Sequence, residues 1–223
     1  MGCERYEVGI REQTTGRMLN REWTADQVRE NIPWLKRMNA QGNDLYIRPS
    51  QQEKHGLVLV DDLKQEGLTR MKEAGHAPAL IVETSPHNHQ AWVKLPPSND
   101  ALRKETAREL AKTYGGDPMS ADARHYGRLA GFTNQKDKYR DEAGRQPFVL
   151  ARETGGHTAV KGHELVQQAQ EHLQERSRQL EVSKRLEALQ EAGTRKYVHG
   201  GVVDAYRREA SQLAAKFDKP DWS

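Results

Sequence analysis

The sequence predicts a mixed α/β or α+β domain with one main sheet, followed by a helical segment. Two observations support this prediction. In residues 5–152, short runs of strand-forming residues alternate with amphipathic helical stretches, as in a sheet that is covered by helices. Residues 167–193 are rich in Gln, Glu, Arg, Leu and Ala and contain no proline, which is typical of a long helix. We therefore expect one domain at residues 1–156 and a helical segment at residues 157–223.

Each predicted element rests on a local pattern. Two alternating runs flank Thr14, Thr15 and Gly16, which favours a hairpin. Thr24 and Gln27 form a capping box, which predicts the start of a helix that a proline interrupts at position 33. The expected strands are at 5–11, 18–23, 44–48, 57–60, 79–83, 89–95 and 146–152, and the expected helices of the domain begin at 24, 63 and 98.

The helical segment carries a regular apolar stripe. Its members recur at helical spacing and are Leu165, Ala169, Leu173, Leu180 and Leu186. A second helix is expected at residues 202–217. These helices either pack on the domain or begin a separate bundle.

Composition limits the classes of protein to be considered. The chain has 223 residues, 30% of them charged, with a net charge of +3 and a pI of about 8.9. This mildly basic balance permits a nucleic-acid partner. A single cysteine, Cys3, excludes an intrachain disulfide and fits a reducing cytosol. The longest apolar runs are too short to span a bilayer, and no signal-peptide pattern is present, so we expect a cytoplasmic protein.

The most informative stretch is GLVLVDDL, residues 56–63. Four apolar residues predict a short strand buried on both faces, and Asp61 and Asp62 follow where it ends. Asp62 with Gln65 fits a capping box for the next helix. That interpretation leaves Asp61 without a role, and adjacent carboxylates also suit a hard divalent cation such as Mg²⁺. Side chains alternate along a strand, so the sequence leaves open which aspartate faces a site.

A second cluster follows the strand at 79–83. Alternation places Asn88, Gln90, Trp92 and Lys94 on one face. Amides, an indole and an ammonium together suit a nucleotide, through hydrogen bonds, stacking and charge. The alternative is an ordinary solvated sheet face with a half-buried tryptophan. The neighbouring histidines at 87 and 89 enclose an asparagine rather than an apolar residue, which disfavours a metal-binding pair.

The third cluster lies at residues 114–136. Asp117 follows a double glycine and precedes a proline, which is also the pattern of a turn aspartate. Arg124, His125 and Arg128 then lie in a segment punctuated by glycines. Guanidinium forks and accessible backbone N–H groups are the chemistry required around a triphosphate. The alternative is a surface loop with scattered charge.

In this order, the motifs VDDL, SPHNHQAWVK, GGDP and RHYGRLAGFTNQKDK give the sequence its family resemblance. The chain resembles the RepB-type plasmid primases, a branch of the archaeo-eukaryotic primase superfamily, and the likeness extends to MGCERYEVGIRE, PWLKRMNAQGNDLYIRP and the helical tail. The resemblance implies an α+β primase-like catalytic core, built on an RRM-like mixed or antiparallel sheet flanked by helices. A helical C-terminal segment would follow this core.

The resemblance also implies an activity. Such proteins synthesise primers on single-stranded plasmid origin DNA from nucleoside triphosphates, with Mg²⁺ or Mn²⁺, and the host polymerase and a plasmid helicase or initiator would be further partners. It implies that Asp61, Asp62 and Asp117 form the metal site. It suggests that a cationic set faces the incoming triphosphate: Lys94, Arg124, His125 and Arg128.

Two departures from the superfamily pattern concern the site. Many members separate the first two carboxylates by one residue, whereas Asp61 and Asp62 are adjacent. The usual histidine motif is replaced by the pattern of Asn88, Gln90 and Trp92, as expected for this branch.

Two other functions remain open at this point. A non-catalytic origin-binding module would use the acidic residues only as helix caps. A rolling-circle nickase or relaxase would need a histidine pair and a nucleophilic tyrosine such as Tyr126 or Tyr139, and would leave three aspartates without a role.

Overall fold

In the computed structural model, residues 1–199, 208, 211 and 212 are described, with side chains through residue 188 and at the last three positions. These described residues form eight strands: β1 (Arg5–Glu12), β2 (Met18–Thr24), β3 (Asn43–Pro49), β4 (Leu57–Leu63), β5 (Leu80–Ser85), β6 (Asn88–Lys94), β7 (Gly127–Arg128) and β8 (Leu150–Glu153). The α-helices are α1 (Ala25–Glu30), α2 (Ile32–Ala40), α3 (Gln65–Glu73), α4 (Asp100–Tyr114) and α5 (Gly162–His199). A 3₁₀ turn lies at Asp137–Tyr139.

The strands form two four-stranded sheets instead of the one main sheet that we expected. The first has the order β2-β1-β3-β7 and the second the order β4-β6-β5-β8, and every pairing between these strands is antiparallel. The local patterns are the same for one sheet or two, because pairing between distant strands is decided by tertiary contacts. The expectation of a single main sheet was therefore wrong.

Each sheet packs helices on one face. In the first sheet, Val8 and Ile10 contact Leu35 of α2 in one apolar cluster. In the second, Val58 and Val60 lie in a larger cluster with residues of α3, α4 and the start of α5. Burying a valine or leucine fully contributes about 1.5–3 kcal/mol, so these clusters fix the strand faces.

Strand β4 is as buried as its sequence predicts. All five of its apolar residues are at most 4% exposed, although among the described strands β4 is hydrogen-bonded on one side only. Leu57 and Leu59 face away from the helices and contact Trp92 in a third apolar cluster. The two faces of β4 are thus covered by different parts of the molecule.

The predicted caps are partly correct. Thr24 and Gln27 form the expected capping box, and Pro33 lies in the first turn of α2. The predicted cap at Asp62 is wrong, because β4 continues to Leu63 and the N-cap of α3 is Lys64, whose side chain makes no capping hydrogen bond.

The chain separates into two compact units, Met1–Leu173 and Gln174–Ser223. Leu165 and Ala169 of α5 are buried in the first unit, whereas Leu180 and Leu186 are more than half exposed. The helix predicted at 202–217 lies largely outside the described residues. Among the helices that are described, none combines the length and the apolar content needed to cross a membrane.

Candidate functional site

A bulge at the end of β4 sends the two adjacent aspartates in different directions. Val60 pairs with Ala91 and Leu63 with His89, so two residues of β4 oppose the single residue Gln90. Asp62 takes a left-handed conformation, with φ of 58°, and its backbone N–H donates to Asp61 Oδ1 at 2.8 Å.

The bulge separates the environments of the two carboxylates. Asp62 is exposed, and its Oδ1 accepts a hydrogen bond from Asn88 Nδ2 at 2.7 Å. Asn88 Oδ1 in turn accepts a 3.3 Å hydrogen bond from the Lys64 ammonium. Asp61 stays close to Gln90 on the other side of the bulge. The structure therefore distinguishes two residues that the sequence could not.

The end of α4 brings Asp117 to the same place. Gly115 adopts a left-handed conformation and ends the helix. Gly116 then lies so close to β4 that a Cβ there would be 2.7 Å from the Asp61 carbonyl oxygen. The next residue, Asp117, donates its backbone N–H to that oxygen at 3.0 Å. A glycine is thus required for Asp117 to reach Asp61.

Asp61 has an environment that favours its ionised form. Burial by itself raises the pKa of this carboxyl, but the nearby His125 imidazole, the Asp62 amide and the Gln90 side chain outweigh it, so the pKa lies below the usual value. His125 Nε2 is 3.7 Å from Asp61 Oδ2. A partly buried anion beside an imidazole suits the binding of a cation or of a substrate proton.

The three aspartates do not form a closed ligand cluster. Among the described residues, the one group of three or more such ligands with all its atoms within 4.8 Å is Glu105, Glu109 and His172. Its carboxylates already face cations of α4, since Arg108 lies 3.7 Å from Glu105 and Lys112 lies 3.0 Å from Glu109.

The predicted cationic residues occupy different places. Arg124 forms an ion pair with Asp100 at 3.0 Å and is half exposed. Arg128 is 5% exposed and forms a bidentate ion pair with Asp44, at 2.5 and 3.1 Å. Of the predicted cationic set, His125 is the one paired with Asp61 in the described part of the chain.

Lys94 and Trp92 also differ from the expected exposed nucleotide-binding face. Lys94 lies opposite Leu57, at the start of β4, and its ammonium lies near Gly2, where a Cβ would be 3.3 Å from it. Trp92 is 3% exposed, and Gly127 covers its indole nitrogen. Neither ring face of Trp92 is available for stacking a base.

Gln90 connects the two sheets at this site. Its Oε1 accepts a hydrogen bond from the backbone N–H of Arg128 at 2.7 Å, and its side chain also contacts Asp61. Arg128 belongs to the first sheet and Gln90 to the second. This one amide therefore orients the carboxylate and links the two sheets by a hydrogen bond.

Sequence reasoning missed a polar network on the first sheet. Arg48 donates to Glu7 and to the Arg124 carbonyl, and its guanidinium lies 4.1 Å from the centre of the Tyr126 ring. Asp44 is fully buried against Arg128. No local signal identifies these residues, because pairing between β1, β3 and β7 creates their proximity.

Comparisons with known proteins agree on one family. The family model for the RepB DNA-primase N-terminal domain matches residues 2–178. Mobilization protein A of Escherichia coli is 54% identical over 219 residues, which cover 97% of this chain and 31% of that protein. A DNA primase of Acidithiobacillus ferrooxidans is 30% identical over 226 residues, which cover 93% of this chain and 63% of that protein. The chain thus spans less than two thirds of the length of either relative.

A solved structure has the same fold. The catalytic domain of primase RepB′, crystallised in complex with initiator DNA, is 59% identical with a TM-score of 0.74, and the match covers 80% of this chain and 92% of that one. The predicted α+β, primase-like architecture is therefore confirmed. Because the family model covers most of its residues, this chain belongs to the RepB DNA-primase N-terminal domain family.

Proposed function

We propose that this chain is the catalytic part of a plasmid replication primase, which joins nucleotides on single-stranded origin DNA. The observation that carries the proposal is the junction of β4 with the end of α4, where Asp61 and Asp117 share a backbone hydrogen bond. Residues 1–156 would form the core and residues 157–223 the helical segment. The protein would act in the cytoplasm with nucleoside triphosphates as substrates.

The donor set fits a divalent cation. Asp61 and Asp117 offer carboxylate oxygens, the ligands that Mg²⁺ and Mn²⁺ prefer, and Asp62 is the adjacent candidate. The low pKa of Asp61 keeps that carboxyl ionised at neutral pH. When bound, Mg²⁺ or Mn²⁺ would neutralise charge on the reacting phosphate and lower the pKa of the attacking hydroxyl.

The protein's own residues would position the reactants. Gln90 orients Asp61 through hydrogen bonding, and His125 faces the same carboxylate. In the reaction, the 3′-oxygen of one nucleotide bonds to the α-phosphorus of the next and releases its proton. The bond between the α- and β-phosphates breaks, and pyrophosphate leaves with the electron pair. Such a transfer depends on positioning and charge, and requires no nucleophilic side chain.

The structure does not favour Tyr126 as the nucleophile of the nickase alternative. The Tyr126 hydroxyl lies 3.2 Å from both Glu7 Oε2 and Asn20 Oδ1, which share its one proton as acceptors. Burial raises the pKa of Tyr126 to about 12, so its phenol remains protonated at neutral pH. It is therefore a poor nucleophile.

The test is incorporation of labelled NTPs or dNTPs on single-stranded origin DNA with Mg²⁺ or Mn²⁺. We expect Asp61→Asn and Asp117→Asn each to reduce the rate by about 10²–10³-fold or more, because each removes a charge from the reaction centre. Asp137→Asn is the matched control, since that side chain is 89% exposed.

Two results would contradict the proposal. Unchanged incorporation in both site variants would mean that the aspartates do not serve the reaction. If the native chain and a version extended beyond residue 223 made no product yet bound origin DNA, the non-catalytic binding module would replace the primase.

A further inference from the structure

The position of His125 depends on the residues on either side of it. Residues 115–126 form no helix or strand, so regular secondary structure does not fix the direction of this imidazole. The His125 backbone N–H donates to the Asp122 carbonyl at 3.2 Å, within the same irregular segment. Contacts with more distant elements must therefore hold His125 beside Asp61.

One guanidinium contacts both neighbours of His125. Arg48 Nη1 donates to the Arg124 carbonyl, and the same guanidinium lies 4.1 Å from the centre of the Tyr126 ring. A cation over an aromatic ring contributes about 0.5–2 kcal/mol, depending on how far it is desolvated. Arg48 therefore holds the backbone before His125 and the side chain after it.

Glu7 directs Arg48 to this place. Glu7 Oε2 accepts hydrogen bonds from Arg48 Nε at 3.1 Å and from Arg48 Nη2 at 2.5 Å. The Arg48 and Glu7 side chains are 14% and 16% exposed, so solvent screens this pair less than it screens a surface pair. Because a guanidinium is planar, its attachment to Glu7 fixes the direction of the third nitrogen atom, toward Arg124.

The first sheet also holds the ring of Tyr126. Its hydroxyl lies 3.2 Å from both Glu7 Oε2 and Asn20 Oδ1. A Cβ on Gly9, in the middle of β1, would lie 3.3 Å from Tyr126 Cε1. Glycine weakens the interior of a strand and often marks the close approach of another group. Residues of β1, β2 and β3 thus fix Tyr126 on the sheet.

We infer that Arg48 and Tyr126 are positioning residues of this site, which hold the His125 imidazole toward the Asp61 carboxylate, 3.7 Å away. The inference rests on the proposed function, in which Asp61 serves the reaction. Neither positioning residue needs to touch a nucleotide or DNA, because each acts through the chain on one side of His125. The first sheet thereby supports a site whose aspartates belong to β4 and to the end of α4.

The first readout is the geometry of the His125 imidazole, followed by its ¹H–¹³C signals in the full chain. The chain has nine histidines, and His125→Gln identifies the signals of this one. Spectra are recorded at a pH high enough to keep every imidazole neutral, so that a shift reports geometry rather than protonation. Arg48→Gln and Tyr126→Leu should each move the His125 signals, because each releases one side of the segment.

Arg5→Gln is the matched control for Arg48→Gln. It also removes an arginine from an ion pair with a glutamate, since Arg5 Nε lies 2.8 Å from Glu22 Oε1. Arg5 is two residues from Glu7 and therefore on the same face of β1. We expect Arg5→Gln to leave the His125 signals in place, because its partner belongs to β2. Equal movement of these signals in Arg5→Gln and Arg48→Gln would overturn the inference.

Arg48→Lys distinguishes positioning from charge. An ammonium keeps the positive charge but lacks the planar fork that contacts Glu7 and the Arg124 carbonyl together. We therefore expect Arg48→Lys to move the His125 signals as Arg48→Gln does. Native signals in Arg48→Lys would mean that charge alone is sufficient, and would contradict the positioning role.

The second readout is nucleotide incorporation in a double-mutant cycle. We expect Arg48→Gln to lower the rate by about tenfold, because a small displacement of a positioned group can cost that much. In the His125→Gln background the same change should cost less than about twofold, since effects that act through a shared residue do not add. Equal losses in the two backgrounds would mean that Arg48 acts without His125, and would overturn the inference.

The two readouts separate this inference from the proposed function. His125 signals that move in Arg48→Gln and Tyr126→Leu, in a chain that makes no product, would support the positioning role and contradict the proposed activity. Signals that stay in place in both variants, in a chain that incorporates nucleotides, would overturn the inference alone. Urea unfolding checks that each variant folds. Because the two variants act on opposite sides of His125, the loss of the fold in one leaves the other as the test.

Discussion

At the scale of single residues, Asp44 and Arg128 form a buried ion pair near the site. Asp44 has no exposed side-chain surface and also accepts the backbone N–H of Gln135 at 2.8 Å. Arg128 was expected to face a triphosphate. Its guanidinium is instead engaged with Asp44, and its backbone N–H fixes Gln90. The residue therefore contributes through position, and its proposed contact with substrate stays a prediction.

We expect Asp44→Asn to lower the free energy of unfolding by about 3 kcal/mol, because the change leaves the Arg128 charge buried without its counter-ion. Urea unfolding at neutral pH measures this loss. Asp137→Asn also breaks an ion pair with an arginine, but at an exposed position, and should cost less than about 1 kcal/mol. Equal losses in the two variants would show that the buried pair contributes little.

At the scale of elements, the site depends on two backbone irregularities that meet. The bulge of β4 directs Asp61 toward Gln90, and the glycine pair after α4 lets Asp117 approach the Asp61 carbonyl. Regular strand or helix geometry at either place would separate Asp117 from the backbone of Asp61.

Gly116→Ala tests this approach. Its Cβ would lie 2.7 Å from the Asp61 carbonyl oxygen and 2.9 Å from Val60 Cγ1, so the segment that carries Asp117 must move away from β4. We expect nucleotide incorporation to fall by about 10–100-fold, since a displacement of about 1 Å can cost that much in rate.

Gly115→Ala is the matched control for that variant. Gly115 has φ of 77°, and a Cβ there meets no atom within 4 Å. It should cost about 1–2 kcal/mol in unfolding free energy through backbone strain and leave incorporation within about twofold. If Gly116→Ala were as active as Gly115→Ala, the close approach of the two segments would not be needed.

At the scale of the whole molecule, acid stability reflects how the domain buries its polar groups. His55 has a pKa of about 4 in the folded chain against an ordinary value of 6.5. Between these values the unfolded chain binds more protons. The stabilising contribution is therefore complete above pH 6.5 and is lost as the pH falls toward 4.

We expect the native domain to lose about 2–3 kcal/mol more unfolding free energy between pH 7 and pH 4.5 than the His55→Gln variant does. Urea unfolding at the two pH values measures the difference. His163→Gln changes an exposed imidazole and should follow the native chain. An identical pH response in His55→Gln and the native chain would mean that His55 is not buried in its neutral form.

Much of the fold could be predicted from local patterns. The hairpin, the Thr24 capping box, the buried β4 run and the end of α4 at Gly115 each depend on residues close together in sequence. The last strand is shorter than the expected 146–152 run, because Phe148 contributes only an isolated bridge to Thr133 and β8 begins at Leu150. The helical predictions for residues 202–217 stay predictions.

The sequence by itself determined which residues could supply chemistry: three aspartates at the ends of elements, a polar strand, and a basic segment punctuated by glycines. Tertiary structure decided their use. Asp61 lies with Gln90 and His125, and Asp62 contacts Asn88. Lys94 lies opposite Leu57, at the start of β4 and away from the aspartates at its end. The physical reason is that strand register, bulges and the meeting of two sheets depend on contacts between residues distant in sequence, whereas caps, turns and hydrophobic periodicity are encoded locally.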